Sequence, residues 1–386
     1  MIQTGPFGSQ LHASDYTLVG TPLVMPINLG DNKIIEKGIA RVGDWDARRL
    51  RRHALREGDI IFSRRGDVGR RSIVRAGQVG WLCGTGCLAA RFGSNRTTVN
   101  PEYVAHYLGS RPAQVWLQDN AVGGTMPNLN TAILSALPVR LPSRADQDAI
   151  VAALEDAQAA IEHIKYLTIK KLAIKWGMVQ QLLVGKVRLP GFTSGTWETR
   201  PLRGGVSLIS GTHVMARDCN TQGVGTPYLT GPADFPNGQI KQTKFTTRPI
   251  SLCRPRDILI TVKGSGSGSM VEADAEYCIS RQLMAIRSLE WDSRFLFYSL
   301  LYNASQIKAA SAGLIPGLSR SDILDQQLPT PPSTAEQSAI AEVLSDIDHQ
   351  IEGLKCLRVK REAIKHGMMQ QLLTGSTRLP VQEDAA

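Results

Sequence analysis

The sequence predicts an α+β fold in which a mixed α/β domain followed by a long helix occurs twice, with the two helices paired as an antiparallel coiled coil. Three observations predict this arrangement. A 45-residue segment occurs twice in the 386 residues, each copy has the apolar periodicity of a long helix, and each follows a block of short apolar runs and many glycines. A chain of this length also suggests two or three domains, at roughly 100–200 residues per domain.

The repeat comprises residues 146–190 and 336–380, which align without a gap at a constant offset of 190. Gln147 aligns with Gln337, and the sequence Gln-Gln-Leu-Leu occurs at both 180–183 and 370–373. A fixed offset over a segment of this length is typical of a duplicated structural unit. We therefore expect the two copies to adopt the same structure.

Each copy has apolar residues at alternating steps of four and three, which is the heptad pattern of a helix that pairs with another helix. Pro142 and Pro332 precede the helices, Ser143 and Ser333-Thr334 are suited to cap them, and Gly185 and Gly375 end them. Each helix is then about 35–40 residues long, or roughly 55 Å. The predicted pairing residues are Ile150, Leu154, Ile161, Ile164, Met178, Leu182, Ile340, Leu344, Ile347, Ile351, Leu354, Met368 and Leu372. Farther along the second helix, Leu357, Ile364, Met368 and Leu372 keep an apolar face after a register shift.

These elements divide the chain into four regions. Residues 1–142 form the first domain, 143–190 the central helix, 191–332 the second domain, and 333–386 the C-terminal helix and tail. The domains repeat each other loosely, because Gly58–Gly66 and Arg256–Gly264 both read as a buried strand that ends in basic residues and glycine.

Basic residues are concentrated in the first domain. The net charge of the chain is +10, and residues 1–145 hold 18 basic and 10 acidic residues, or +8. Residues 191–335 hold 14 and 11, or +3, and residues 41–75 contain eleven arginines against five acids. Such a surface suits a polyanion, and arginine suits phosphates and guanine edges, although a solvated basic surface has the same composition.

Other sequence features limit the location and the chemistry. No apolar run reaches the roughly 18 residues of a membrane span, and the opening residues do not resemble a secretory signal peptide. The six cysteines are too few for a disulfide scaffold, so we expect reduced thiols and a cytoplasmic location. Cys83 and Cys87 lack a second ligand pair and are interpreted as structural rather than metal-binding.

No catalytic or cofactor motif is present in the sequence. It has no phosphate-binding P-loop, no dinucleotide fingerprint, no zinc-protease motif and no serine-histidine-aspartate pattern. The Gly264–Ser269 run reads as a flexible loop or as one that contacts phosphate. We therefore expect a binding protein without an active site, a cofactor or a metal of its own. Two alternatives remain at this point: a fused methyltransferase or nuclease with an unrecognised catalytic part, and a helical scaffold with no DNA role.

The helical repeats, with their shared Gly-Met-x-Gln-Gln-Leu-Leu and Arg-Leu-Pro sequences, resemble the conserved regions of type I restriction-modification specificity subunits. Thr4–Tyr16 and Gly58–Arg70 resemble one target recognition domain of that family, whereas Ser210–His213 follows the second domain's pattern loosely. The resemblance covers nearly the whole chain. The residues that usually precede the Thr4–Tyr16 motif are not among the 386, so we expect either an absent first strand or a misassigned start codon.

The resemblance implies a non-catalytic subunit with two target recognition domains, each reading one half of an asymmetric bipartite DNA sequence. It also implies that the paired helices space these domains and dock two methyltransferase (modification) subunits, and that restriction subunits join the complex. A DNA-binding subunit of a related methyltransferase or nuclease complex is the alternative. We expect DNA contacts from polar and basic residues on loops beside the strands, namely Ser9, Gln10, Arg64, Arg65, Arg70, Arg71, Thr212, His213, Lys263, Arg281 and Gln282.

Overall fold

The computed structural model describes residues 1–6, 10–123, 125–264, 266–310 and 317–380, and the chain divides into two compact units. Unit 1 comprises Met1–Lys165 and Cys356–Ala386, and unit 2 comprises Tyr166–Lys355. Each unit therefore contains one mixed α/β domain, part of the first long helix and part of the second.

The described residues of unit 1 form two four-stranded sheets. The first is antiparallel, in the order Ile2–Thr4, Cys87–Ala90, Ile60–Ser63 and Arg71–Ile73. The second has the order Tyr16–Thr17, Ala40–Val42, Thr21–Val24 and Leu82–Cys83, with a parallel last pair. Its shorter α-helices are Asp44–Arg49, Pro101–Tyr107, Arg111–Asn120 and Thr131–Ala136.

The strand Ile60–Ser63 is central to the first sheet and all four of its residues are buried. Its apolar side chains point alternately into two hydrophobic clusters, with Ile60 and Phe62 in one and Ile61 in the other. A strand buried on two faces reads as a continuous apolar run, which explains why the sequence signal was clear at this position.

Unit 2 has the same kind of first sheet, in the order Val206–Ser210, Leu283–Ser288, Ile258–Thr261 and Met270–Glu272. A five-stranded sheet follows the order Cys219–Asn220, Phe245–Thr246, Thr226–Leu229, Tyr277–Ile279 and Leu252–Cys253. Glu198–Pro201 pairs antiparallel with Gln327–Thr330. The shorter α-helices are Ser293–Tyr302, Ala304–Ala310 and Arg320–Leu324.

The two long helices are Arg144–Leu182 and Thr334–Leu373. Ser143 and Ser333 cap them, because each hydroxyl accepts a hydrogen bond from the backbone N–H three residues later, at 3.1 and 3.2 Å. Gly185 and Gly375 lie beyond their C-termini with φ of +70° and +74°, a conformation that glycine adopts without strain.

The helices run antiparallel in each unit. In unit 1 the Lys365 Nζ donates to Gln158 Oε1 at 2.7 Å, and Ile150 and Leu154 share one core with Leu372. In unit 2 the Lys171 Nζ donates to Gln350 Oε1 at 2.7 Å, and Leu182 shares a core with Ile340 and Leu344. The predicted antiparallel pairing and the predicted fold class are confirmed.

Most of the predicted pairing residues are buried: Ile150, Leu154, Ile161, Ile164, Leu182, Ile340, Leu344, Ile347, Ile351 and Leu372. Met178, Leu354 and Met368 are half-buried. Leu357 and Ile364 are exposed, so the apolar face expected there after a register shift is less covered than the rest of the helix seam. Many of these side chains pack into the domain cores, and little of their surface is left for a partner.

The units attach their domains to the helices with different side chains. In unit 2 the Tyr298 hydroxyl donates to Asp348 at 2.8 Å, and Lys175 binds the same carboxylate at 2.6 Å. The counterparts of Asp348 and Lys175 at the repeat offset are Gln158 and Lys365, which lie beside the buried His106. A cavity of about 610 Å³ lies there in unit 1.

Among the residues that the structure describes, no helix is long and apolar enough to cross a membrane.

Candidate nucleic-acid interface

The loop between the strands Ile60–Ser63 and Arg71–Ile73 is bonded to two other segments of unit 1, one at Gly86 and one at 128–129. We call these three segments together the corner of unit 1. The backbone N–H of Arg64 donates to Gly86 O at 2.8 Å, and Arg64 O accepts from Leu129 N at 2.8 Å. Arg65 forms a β-bridge with Asn128 and its side chain is exposed. Backbone hydrogen bonds on both sides therefore fix the point at which the Arg65 side chain leaves the strand.

Unit 2 builds the same corner with other residues. The backbone N–H of Val262 donates to Gln282 O at 2.8 Å, and Val262 O accepts from Leu318 N at 2.9 Å. Lys263 forms a β-bridge with Gly317 and its side chain is exposed. Lys263 thus occupies in unit 2 the position that Arg65 occupies in unit 1.

The segment after the first strand closes against the same corner in each unit. Gly5 N donates to Cys87 O at 2.9 Å, and Gly211 N donates to Leu283 O at 3.0 Å. A Cβ on Gly211 would lie 2.0 Å from Ser280 O, so only glycine permits this approach. Thr212 follows, with its N–H donating to Ile279 O at 3.0 Å.

The structure brings together many of the predicted DNA-binding residues. Thr212, His213, Lys263, Arg281 and Gln282 are all exposed on the strand-end segments of unit 2. In unit 1, Arg65 is exposed, and Gln10, Arg64 and Arg70 are half-buried. Ser9 lies outside the described residues.

Arg71 is a correction to the predicted interface. It is only 6% exposed, its Nε donates to Ala105 O at 2.7 Å, and its Nη2 binds Asp31 at 3.0 Å. Burial lowers the pKa of the guanidinium, and Asp31 opposes that shift. Arg71 therefore joins the sheet to the helix Pro101–Tyr107 and is not available to DNA. The sequence could not separate it from Arg70, because both follow the same loop.

A second basic surface was not identified from the sequence. Trp45, on the helix Asp44–Arg49, is 67% exposed, and the Arg49 guanidinium carbon lies 4.9 Å from its ring centroid. Arg48, Arg51 and Arg52 are exposed beside them. The density of arginine in residues 41–75 was the available signal, but it did not indicate which arginines face solvent.

The corner has no catalytic chemistry that the described residues reveal. Within the described ranges, no group of three or more histidine, cysteine or carboxylate side chains is placed to hold a metal ion. Cys83 and Cys87 are buried free thiols, and burial raises the pKa of Cys83 to about 12. Such a thiol stays protonated at neutral pH and is a poor nucleophile.

The sequence profile described as the type I restriction modification DNA specificity domain matches residues 45–171 and 195–360. The chain belongs to this family. Each match covers most of one domain and part of the helix that follows it. The prediction that the chain contains a duplicated structural unit is therefore confirmed.

A related protein, described as the MjaX type I restriction enzyme specificity subunit of Methanocaldococcus jannaschii, is 27% identical over 381 residues. The match covers 94% of this chain and 88% of the relative. A second relative from the same organism, the MjaVIII specificity subunit, is 31% identical over 137 residues, which are 35% of this chain and 32% of the relative.

Solved structures share the fold. One, from a study of the complex assembly and conformational transition of the type I restriction-modification system, has a TM-score of 0.62 at 21% identity and covers 97% of this chain and 95% of that one. The specificity subunit of M. genitalium has a TM-score of 0.61 at 15% identity, covering 96% and 93%.

This specificity-domain protein is a non-catalytic specificity subunit of a type I restriction-modification system. It works on DNA together with the other subunits of such a system. The predicted function and the prediction that the chain is not itself an enzyme are confirmed by its family.

Proposed function

We propose that this specificity subunit reads an asymmetric, bipartite DNA target, with one half-site bound at the corner of each unit. The observation that carries the proposal is that the two corners have the same backbone framework and different side chains. Arg65 and Asn128 in unit 1 correspond to Lys263 and Gly317 in unit 2. Different hydrogen-bonding groups at equivalent positions favour different bases, so the two half-sites need not have the same sequence.

Arginine at position 65 suits guanine, because its guanidinium can donate two parallel hydrogen bonds to O6 and N7 in the major groove. Lysine at position 263 carries a point charge and suits a phosphate or a single base acceptor. Arg48, Arg51 and Arg52 lie on the second basic surface and suit phosphates, which fix the position of the domain on the duplex. We propose that Arg71 takes no part in this contact.

The test uses variants in the assembled modification complex and maps the methylated sites. Arg65→Ala should relax one half-site at one or two base pairs and leave the other half unchanged. Lys263→Ala should affect only the second half-site. Loss of a bidentate base contact costs about 1–3 kcal/mol of binding free energy at that base pair. Loss of a phosphate contact instead weakens binding to all sequences alike, and it reduces the slope of log affinity against log salt concentration by about one unit.

Lys37→Ala is the matched control, because Lys37 is an exposed basic residue of unit 1 outside the corner. It should leave both half-sites unchanged. An unchanged target in Arg65→Ala and Lys263→Ala, together with unchanged affinity and salt slope, would remove these residues from the interface.

The partners that we propose are two methyltransferase (modification) subunits, and restriction subunits in the complete cytoplasmic complex. The support is the repeat, since two similar helical segments offer two similar docking surfaces. Most of the apolar pairing residues are buried, so docking would use the exposed faces of the helices instead. The purified chain alone should transfer no methyl group from S-adenosylmethionine to DNA, and methyl transfer by the chain free of partners would contradict this proposal.

A further inference from the structure

The hairpin that joins the strands Tyr16–Thr17 and Thr21–Val24 has an exposed apolar tip. Leu18 is 98% exposed and Val19 is 84% exposed. Exposure of a leucine or valine side chain forgoes the free energy that its burial would supply. These two adjacent side chains contact little of their own domain, so they are available to another molecule.

The backbone holds this tip in place. Tyr16 and Thr21 both pair with Val42, so the hairpin closes around the end of one strand. Gly20 O accepts a hydrogen bond from Arg41 Nη1 at 2.9 Å, and a Cβ on Gly20 would lie 2.2 Å from Val42 O. The tip is therefore fixed to the sheet, and little conformational entropy is left to lose when it contacts another molecule.

The tip adjoins the second basic surface. The strand that it closes around ends at Val42, and the helix Asp44–Arg49 begins two residues later. Residues 41–52 contain five arginines and two aspartates. At the far end of the helix, Arg49 Nη2 donates to Gln10 O at 2.8 Å. The helix, about 9 Å long, thus leads from the tip to a predicted DNA contact, over a distance comparable to about three base pairs.

Unit 2 builds the same hairpin framework. Cys219 and Thr226 both pair with Thr246. A Cβ on Gly225 would lie 2.2 Å from Thr246 O, which is the same close approach as at Gly20. The two hairpins can therefore be compared position by position.

The tip of this second hairpin has a different chemistry. Its residues 221–225 are Thr-Gln-Gly-Val-Gly, in which Val224 is 57% exposed. The following residues 247–251 form no helix and contain one arginine. The adjacent apolar pair Leu18 and Val19, with arginines beside it, is thus a feature of unit 1 that the shared framework does not require.

We propose that Leu18 and Val19 form a wedge that inserts between two base pairs of double-stranded DNA beside the half-site of unit 1 and kinks the duplex there. The neighbouring arginines suit the phosphates of a polyanion, and the chain works on DNA. Apolar side chains among phosphates find an apolar partner in the faces of the bases, which become accessible when a base step is unstacked. This proposal rests on the proposed function, because it needs DNA bound at unit 1.

A wedge also gives specificity without hydrogen bonds to bases. Steps such as TA and CA unstack more easily than others, so a target with such a step at the wedge should be favoured.

The test measures binding of the assembled modification complex to duplexes that carry its mapped target and one mismatched pair, placed in turn at each base pair that flanks the half-site of unit 1. A mismatch weakens stacking and so lowers the cost of inserting a wedge. At the inserted step, the parent complex should bind the mismatched duplex about 5-fold more tightly than the matched duplex. The double variant Leu18→Ser, Val19→Ser should bind the matched duplex about 10-fold more weakly and gain nothing from that mismatch.

Val224→Ser, in the equivalent hairpin of unit 2, is the matched control and should respond to every mismatch as the parent does. The double variant should keep the thermal unfolding midpoint of the parent, because both replaced side chains are exposed. Equal responses of the parent and the double variant to every mismatch would overturn the wedge. Impaired assembly of the double variant with an unchanged mismatch response would also overturn it and would assign the tip to a protein partner.

Failure of the wedge and failure of the proposed function give different results. An unchanged target in Arg65→Ala and Lys263→Ala contradicts the assignment of the half-sites to the corners, whatever the response at the tip. A missing mismatch response at the tip, with half-sites that change in those two variants, contradicts the wedge alone.

Discussion

Replacement of Arg71 by alanine should destabilise unit 1, although Arg71 lies in the same arginine-rich stretch as the proposed DNA contact Arg65. The hydrogen bond from Arg71 Nε to Ala105 O would be lost, and this buried carbonyl would be left without that partner. Leaving a buried acceptor unsatisfied costs about 1–3 kcal/mol. The ion pair with Asp31 adds little, because the Asp31 side chain is 67% exposed.

Loss of packing by the buried aliphatic part of the side chain adds about 1–2 kcal/mol, so the expected total is about 3 kcal/mol. The assay is hydrogen exchange during urea titration, which follows the units separately. Peptides of unit 1 should lose protection at a urea concentration about 1 M lower, if the free energy of unfolding falls by about 3 kcal/mol per M of urea. Peptides of unit 2 should be unchanged.

Two variants separate the causes. Arg71→Met keeps most of the packing and removes the hydrogen bonds, so its effect should be intermediate. Arg65→Ala should change the stability of unit 1 by no more than about 0.5 kcal/mol, because an exposed side chain is removed, and should instead weaken DNA binding. Full stability of Arg71→Ala combined with a selective loss of DNA affinity would refute this reasoning.

Two further predictions concern the helices and the residues packed against them. Burial and the nearby Lys365 and Arg71 lower the pKa of His106 to about 4. As the pH falls, this histidine is therefore protonated in the unfolded chain at a higher pH than in the folded chain. The free energy of unfolding should fall by about 2 kcal/mol between pH 7 and pH 5. His106→Gln should remove that part of the pH dependence in urea unfolding at the two pH values, and an equal loss in both proteins would contradict it. An insertion of four residues between Lys165 and Lys170 adds about 6 Å and roughly one helical turn, so methylation mapping should find a spacer longer by one or two base pairs and unchanged half-sites. One inserted residue should instead rotate the later apolar face by about 100° and impair assembly, and an unaltered spacer in the four-residue variant would exclude the paired helices as the spacing element.

The repeat and the helices could be predicted from the sequence because their signals are local. Ile150, Leu154, Ile340 and Leu344 follow the heptad pattern, and the glycines and serines at the helix ends have defined backbone roles. The strand Ile60–Ser63 was visible for the same reason, as an uninterrupted apolar run. The family resemblance rests on these same residues, and the family match confirms it.

The side-chain roles could not be predicted in the same way, because they depend on residues far apart in the chain. Arg71 binds Ala105 and Asp31, and Asp348 binds Lys175 and Tyr298. No local pattern distinguishes a buried arginine from an exposed one within the same loop. The same signal, the arginines that follow the strand Ile60–Ser63, predicted both Arg65 and Arg71 as DNA contacts. Arg65 is exposed and stays a prediction, whereas Arg71 is buried.

One hydrogen bond between domain and helix is made in the same way in both units, although other contacts at this junction differ. Gln147 Oε1 accepts a hydrogen bond from Asn100 N at 2.8 Å, and Gln337 Oε1 accepts one from Asp292 N at 2.8 Å. Asn100 and Asp292 are also the N-caps of the helices that pack there. Any domain whose helix starts with such a cap could attach to either glutamine. Exchange of one domain for another at this junction would therefore keep the coupling to the helix intact and, under the proposed function, would change one half-site and leave the other as it is.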